Sequence, residues 1–238
     1  MVDLELDDGL AVITIDRPHA RNAISLETMD QFDKALDGAE GAAAIVITGA
    51  GDRAFVSGGD LKELSALRTE REAGAMAWRM RSICDRIAGF AGPTIAALNG
   101  HALGGGAEVA VAADIRLAAD DIKIGFNQVA LEIMPAWGGA ERLVELVGFS
   151  KALLLAGTGM ILTAQEAKDS GLVDHLIPRE AFPAESRKIA KALAHRPAGE
   201  IKRVMRGVTT TEAVAAFARL WVDDEHWAAA DRVMKRDK

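Results

Sequence analysis

Between residues 87 and 107 the chain carries no charged side chain, and no other uncharged stretch in it is as long. Such a stretch either crosses a lipid bilayer or lies buried in a folded core. Six glycines, Pro93, Asn99 and His101 interrupt it. A spanning helix of that composition would turn polar groups and a broken backbone toward lipid, so the core reading is favoured. The residues then divide into a strand at 94–98 after Pro93, a turn, and a helix over 104–113 entered through Gly104-Gly105-Gly106. A buried strand–turn–helix unit predicts an α/β fold.

The rest of the chain repeats this alternation. Residues 4–6 and 10–15 read as a hairpin across Asp7, Asp8 and Gly9. Ser25 is placed to cap a helix over 26–36, with Glu27 and Thr28 in its first turn. Residues 43–48 form a short apolar strand stopped by Gly49 and Gly51. Residues 55–57 read as strand, Gly58-Gly59 as a tight turn, and Asp60 as the N-cap of a helix. Charged residues fill 60–72, so that helix is expected to be exposed. More strands are expected at 115–118 and 122–126, and an amphipathic helix at 138–147.

Strand–strand–helix units therefore recur at an irregular period, and neighbouring units would stack their apolar strand faces. From Phe182 onward the pattern becomes helical, with Arg and Lys frequent up to Arg206. The expected organisation is a core over residues 1–180 and a helical C-terminal region over 181–238.

Composition narrows the class. A chain of 238 residues suits one core domain plus a smaller appendage, and 50% hydrophobic residues can bury a substantial core. A formal net charge of -7 excludes a broad phosphate-neutralising face for nucleic acid, though not a local basic pocket for one anionic ligand. Cys84 is the lone cysteine, which fits a reducing cytoplasm and rules out an internal disulfide or a Cys-rich zinc site. The acidic start MVDLELDDG lacks the basic-then-apolar order of a signal peptide, so a soluble cytoplasmic protein with no membrane partner is expected. The histidines show no ligand spacing, and no metal is expected.

Glycines at a strand-to-helix junction let backbone N–H groups approach a ligand without Cβ obstruction. A helix N-terminus adds unpaired donors and positive potential, which suits an anion or a developing oxyanion. Tight packing of the helix on a strand is the alternative use of the same glycines. Gly104-Gly105-Gly106 does not extend to a dinucleotide fingerprint, because Val109 stands where the third glycine belongs. No Gly-Lys-Ser/Thr phosphate loop occurs, and Ser57 in FVSGG is not a nucleophile elbow. The segment AFVSGGDLK (54–62) repeats the strand–glycine–helix order and offers a second set of donors.

AFVSGGDLK and NGHALGGGAEVAVAADIRLA resemble the two signature segments of the crotonase (enoyl-CoA hydratase/isomerase) superfamily. IDRPHARNAIS, IGFNQVALEIMPAWGGAERL and TAQEAKDSGLVDHLIP are similar to further segments of that family in the same order. The resemblance implies a crotonase-like spiral of repeated strand–strand–helix units with a helical C-terminal region. It implies an acyl-CoA thioester as substrate, with coenzyme A as its carrier and no tightly bound cofactor. Gly59 and Gly105 would donate backbone N–H bonds to the thioester oxygen. Asp60, Leu61 and Lys62 would line the CoA pocket, with Ala54 near the adenine. Glu108 matches the first catalytic glutamate. A homotrimer or a hexamer built as a dimer of trimers follows by analogy.

Gln128 departs from the pattern, because it falls where the family's hydratases carry a second glutamate. An amide can hold a water but transfers protons poorly near neutral pH, and losing a general acid typically costs about 10²–10⁴-fold in rate. Glu132 follows four residues later and would share a face with Gln128 if 128–132 is helical. It then either substitutes for the missing acid or is a surface residue. Trp137 narrows the acyl pocket or is an ordinary packed aromatic. The implied reaction is hydration of a 2-enoyl-CoA with Glu108 as base. Isomerisation, hydrolysis or decarboxylation at the same oxyanion hole, or acyl-CoA binding with little catalysis, are the alternatives. Asp114 is expected to organise a turn or pair with Arg116. Lys202, Arg203 and Arg206 would form a solvated helix face or contact CoA phosphates.

Overall fold

Asp8 and Gly9 both adopt positive φ, which matches the right-handed twist of the strands they join. They close a two-residue hairpin between β1 (Val2–Asp7) and β2 (Leu10–Ile15), paired from Asp7↔Leu10 to Val2↔Ile15. Ser25 caps α1 (Leu26–Gly38) by accepting from Thr28 N at 3.1 Å. The β-branched run of β3 (Ala44–Gly49) then pairs parallel with β2. The computed structural model describes residues 1–236; residues 237 and 238, the end of the expected C-terminal region, lie outside the described residues.

Each later turn of the chain contributes one strand to each of two sheets. β3 is followed by β4 (Ala54–Val56), β5 (Thr94–Leu98) by β6 (His101–Leu103), and β7 (Ile115–Ala119) by β8 (Lys123–Gly125). The large sheet has the order β1-β2-β3-β5-β7-β10, where β10 is His175–Ile177. The small sheet has the order β4-β6-β8-β9, where β9 is Ile161–Thr163 and pairs antiparallel. α4 (Gly105–Ala112) packs against β4, β5 and β6, and every residue in it is buried. A helix with no side left to solvent must be central, and α4 is, with Glu108 its one charged residue. This is the spiral of strand–strand–helix units that the sequence implies.

The expected helix over 60–72 is instead two elements. A short α2 (Leu61–Leu64) ends at Ser65, and Thr69 with Glu72 forms a capping box that starts α3 (Glu70–Gly89). Met80, Ile83, Cys84 and Ile87 bury one face of α3 in the core, a periodicity that the charges between them hide in the sequence. α5 (Gly139–Val147), α6 (Phe149–Thr158) and α7 (Ala164–Ser170) follow. α8 (Phe182–Leu193) lies on the large sheet, with Phe182 and Ala190 in the core. Beyond it come α9 (Arg196–Met205), α10 (Thr210–Trp221) and α11 (Asp224–Arg236).

The Asp114 carboxylate pairs with Lys202 at 2.7 Å and Arg206 at 2.7 Å, while the Arg116 guanidinium reaches Asp114 only at its backbone carbonyl, at 3.3 Å. Arg116 pairs with Asp174. Lys202 is therefore buried against the core, and α9 does not present it as part of a solvated face. Arg203 pairs with Glu200 within its own helix.

Candidate active site

The three parallel strands of the small sheet end at one edge. β4 runs into the Ser57–Asp60 turn, β6 into Gly104 and α4, and β8 into a 3-10 turn, Asn127–Leu131. Carboxyl ends of parallel strands are where open α/β sheets place their ligand sites. The same topology brings Gly59, Gly105 and Gln128 from three distant segments to one edge.

Gly58 packs directly on the α4 N-terminus: a Cβ built on it would lie 3.5 Å from the Gly105 nitrogen. Ile24 bridges this turn in parallel, donating to Gly58 O at 2.8 Å and accepting from Asp60 N at 2.8 Å. Those two bonds flank Gly59, so its own N–H faces away from Ile24. Gly105 opens α4, and the first N–H groups of a helix have no intrahelical acceptor. Gly104 holds φ 55 and ψ -120, a conformation that a side chain would strain. Gly106 allows α4 to close on β4, because a Cβ there would collide with the Val56 carbonyl.

Glu108 lies one turn into α4 and is 2% exposed. Its Oε2 accepts from the backbone N–H of Trp137 at 2.7 Å and of Gly139 at 3.0 Å. Its Oε1 accepts from Gln128 Nε2 at 2.9 Å. Burial pushes the Glu108 carboxyl above its usual range, and the Gly139, Trp137 and Gln128 donors pull it back. The solvated or capping role open to a glutamate near a helix start is therefore excluded. Gln128 is 7% exposed, and its Oε1 has no hydrogen-bond partner among the described residues. An unpaired buried acceptor costs about 1–3 kcal/mol.

Glu132 does not join them. The 3-10 turn ends before it, Glu132 takes φ 55, and its side chain is exposed while Gln128 is buried. The shared helical face that a 128–132 α-helix would supply does not form. Trp137 is 6% exposed and lies across Gly105, where a Cβ would strike its ring. His101 is exposed, and its Nδ1 accepts from Lys123 N at 3.1 Å, a bond between neighbouring strands.

Asp60 caps α2, accepting from Lys62 N at 3.2 Å. It also accepts from Arg17 Nη2 at 2.9 Å, and the guanidinium holds its carboxyl below the usual range. Leu61 and Lys62 are exposed. Ala54 is buried at the wall of a cleft of about 540 Å³ that Arg21, Arg53, Ser57, Leu103 and Arg179 also line. Sequence reading missed Arg17 and the two backbone donors on Glu108. The Gly138-Gly139 pair was the available signal, since a Cβ on Gly139 would collide with the Glu108 side chain.

Residues 5–225 match the profile of the family described as Enoyl-CoA hydratase/isomerase. The chain belongs to that family. A probable enoyl-CoA hydratase of Bacillus subtilis is 40% identical over 196 residues, covering 81% of this chain and 74% of the relative. A crotonyl-CoA hydratase of Syntrophomonas wolfei is 39% identical, covering 79% and 73%. The crystal structure of an enoyl-CoA hydratase from Thermoplasma volcanium superposes with a TM-score of 0.82 at 34% identity, covering 97% of this chain and 96% of that one. The chain thus has the hydratase/isomerase fold and is an enzyme of that family. Among the described residues no group of three His, Cys, Asp or Glu side chains is placed to hold a metal, and no helix is long and apolar enough to cross a membrane.

Proposed function

We propose that this enzyme hydrates a 2-enoyl-CoA, with the Gly59 and Gly105 N–H groups on the thioester oxygen and Glu108 as the base. The observation that carries this reading is Glu108 itself. It is the one buried carboxylate among the described residues, and it stands one turn from Gly105 at the strand edge where the Gly58-Gly59 turn arrives. Donors aimed at a developing enolate oxygen lower the barrier to attack at the β-carbon, because they need no reorganisation as charge appears. A buried carboxylate whose affinity for protons is raised by desolvation is a suitable base for water.

Asp60, Leu61 and Lys62 support a CoA path past α2, and Arg21, Arg53 and Arg179 in the cleft at Ala54, which Asp52 and Asp121 also line, support a nucleotide site there. CoA arrives with the substrate, so no tightly bound cofactor is required. Residues 1–180 form the catalytic spiral, and 181–238 serve as CoA cover and oligomer contact. Exposed Met134, Phe149, Leu153 and Leu154 support a homotrimer or a hexamer of two trimers, which sedimentation would resolve. The free, buried Cys84 supports a reducing, cytoplasmic setting.

Isomerisation is the second reading, favoured by Gln128: moving a double bond needs one group that takes and returns a proton, and Glu108 alone supplies it. Purified enzyme offered 2-enoyl-CoA thioesters of several chain lengths should consume the conjugated thioester and yield the 3-hydroxyacyl product. Absence of turnover at every length overturns hydration. Conversion of a 3-enoyl-CoA to its 2-enoyl isomer instead would support the second reading.

A further inference from the structure

A guanidinium and two peptide units lie in series behind Gly59. Arg17 Nη1 donates to the Ala23 carbonyl at 2.5 Å. That carbonyl shares a peptide unit with the Ile24 N–H, which donates to Gly58 O at 2.8 Å. Gly58 O shares the next unit with the Gly59 N–H. Among the described residues no peptide bond is cis, so in each unit the N–H points opposite to the C=O. The series begins at a cation and ends on the N–H proposed for the thioester oxygen.

The surroundings of Arg17 hold the head of this series in place. Arg17 is 7% exposed. Its Nη2 donates to Asp60 Oδ2 at 2.9 Å, and Asp60 N donates to Ile24 O at 2.8 Å on the far flank of Gly59. Arg17 N donates to Asn22 Oδ1 at 2.9 Å, and Asn22 Nδ2 reaches Ala54 O at 2.7 Å, which ties the loop to β4. Arg17 Nε is buried with no partner among the described residues. Burying a donor unpaired is costly, so the side chain is kept there for its two terminal contacts. An arginine turned inward to this degree is not placed to meet a CoA phosphate.

We propose that Arg17 is a positioning residue for the reaction, which aims and polarises the Gly59 N–H through the Ala23–Ile24 and Gly58–Gly59 peptides. This rests on the oxyanion-hole reading above and holds for hydration and isomerisation alike. No bond forms or breaks at Arg17. Hydrogen bonds in series polarise one another, by about 10–30% per bond, and a charged donor makes the stronger first bond. Asp60 offsets part of the guanidinium charge while it fixes the other side of the turn. Removing an oxyanion donor outright costs about 10²–10³-fold in kcat. Weakening one by about 10–30% therefore costs about two- to eightfold.

The test reads the bond that Gly59 would polarise. A saturated acyl-CoA, butanoyl or octanoyl, whichever binds more tightly, is isotope-labelled at its carbonyl carbon. Its infrared C=O stretch falls as the carbonyl is polarised, and it is read at saturation. In wild type the bound stretch should lie below that of the free thioester. In Arg17→Met it should return about 10–30% of the way, with kcat on 2-enoyl-CoA down about two- to eightfold and the Kd of the saturated thioester within about twofold. Asp60→Asn keeps an acceptor for Arg17 and a cap for α2 but removes the opposing charge. Its shift should equal or exceed the wild-type one, and this decides the matter if Arg17→Met fails to fold. A wild-type shift in Arg17→Met, or a smaller shift in Asp60→Asn, overturns the role of Arg17 and leaves the oxyanion hole standing. A wild type that leaves the bound stretch at its free value overturns the oxyanion hole itself, and this proposal with it.

Discussion

Arg17 reaches Asp60 at 2.9 Å across the mouth of the Gly58-Gly59 turn, joining the loop after β2 to the cap of α2. The same guanidinium donates to Ala23 O at 2.5 Å, next to the Ile24 bridge. Removing one partner of a buried pair typically costs about 3–5 kcal/mol, and less where the other keeps some water. Arg17→Met should therefore lower stability by about 2–3 kcal/mol in denaturant titrations. Arg17 holds Asp60 below its ordinary value of 3.8. Its share of stability is present above that value and is lost as pH falls through the lower folded one. The wild type should thus lose stability more steeply in acid than Arg17→Met.

Gly106→Ala should be more damaging than its single methyl suggests. The new Cβ meets the Val56 carbonyl, which is backbone and cannot swing aside. α4 would have to lift from β4, carrying the Gly105 donor with it. A fall of about 2–3 kcal/mol in unfolding free energy is expected, with kcat reduced in whatever protein remains folded.

Trp137 tests how the acyl site is shaped. Its ring lies on Gly105 while its backbone N–H holds Glu108 at 2.7 Å, so a side-chain change leaves that bond available. Trp137→Ala should cost about 3–5 kcal/mol in stability from the cavity it opens. The comparison of kcat/KM across acyl lengths should shift toward longer or branched substrates. An unchanged ranking would make Trp137 a packed aromatic only.

Much of this was legible in the sequence, for physical reasons that differ by element. The composition of the uncharged run before Glu108 favoured core over membrane, and its glycines marked where strand becomes helix. Ser25 and Asp60 were readable as caps because capping is local. The Arg17–Asp60 pair spans 43 positions, and the Trp137 and Gly139 donors reach Glu108 across 29 and 31, so spacing rules could not find them. Of the two readings open for Glu132, the exposed one follows because i and i+4 share a face only in an α-helix, and a 3-10 turn ended by a left-handed residue sends them apart.

Glu108 also gives a stability signature. Its carboxyl is raised above 4.5 mainly by burial. A raised acid favours the protonated fold, so its contribution is greatest below the unfolded value and declines as pH rises through the folded one. The stability difference between wild type and Glu108→Gln should change with pH across that interval and flatten on either side, as chemical denaturation at successive pH values would show.

A hydratase's base acts on the chemical step and not on thioester binding. The most direct measurement is kcat/KM of Glu108→Gln on a 2-enoyl-CoA beside the wild type, with the Kd for a saturated acyl-CoA measured on both. A loss of about 10²–10⁴-fold in kcat/KM with Kd nearly unchanged is predicted. A variant that keeps hydrating within a few-fold of the wild-type rate would contradict it.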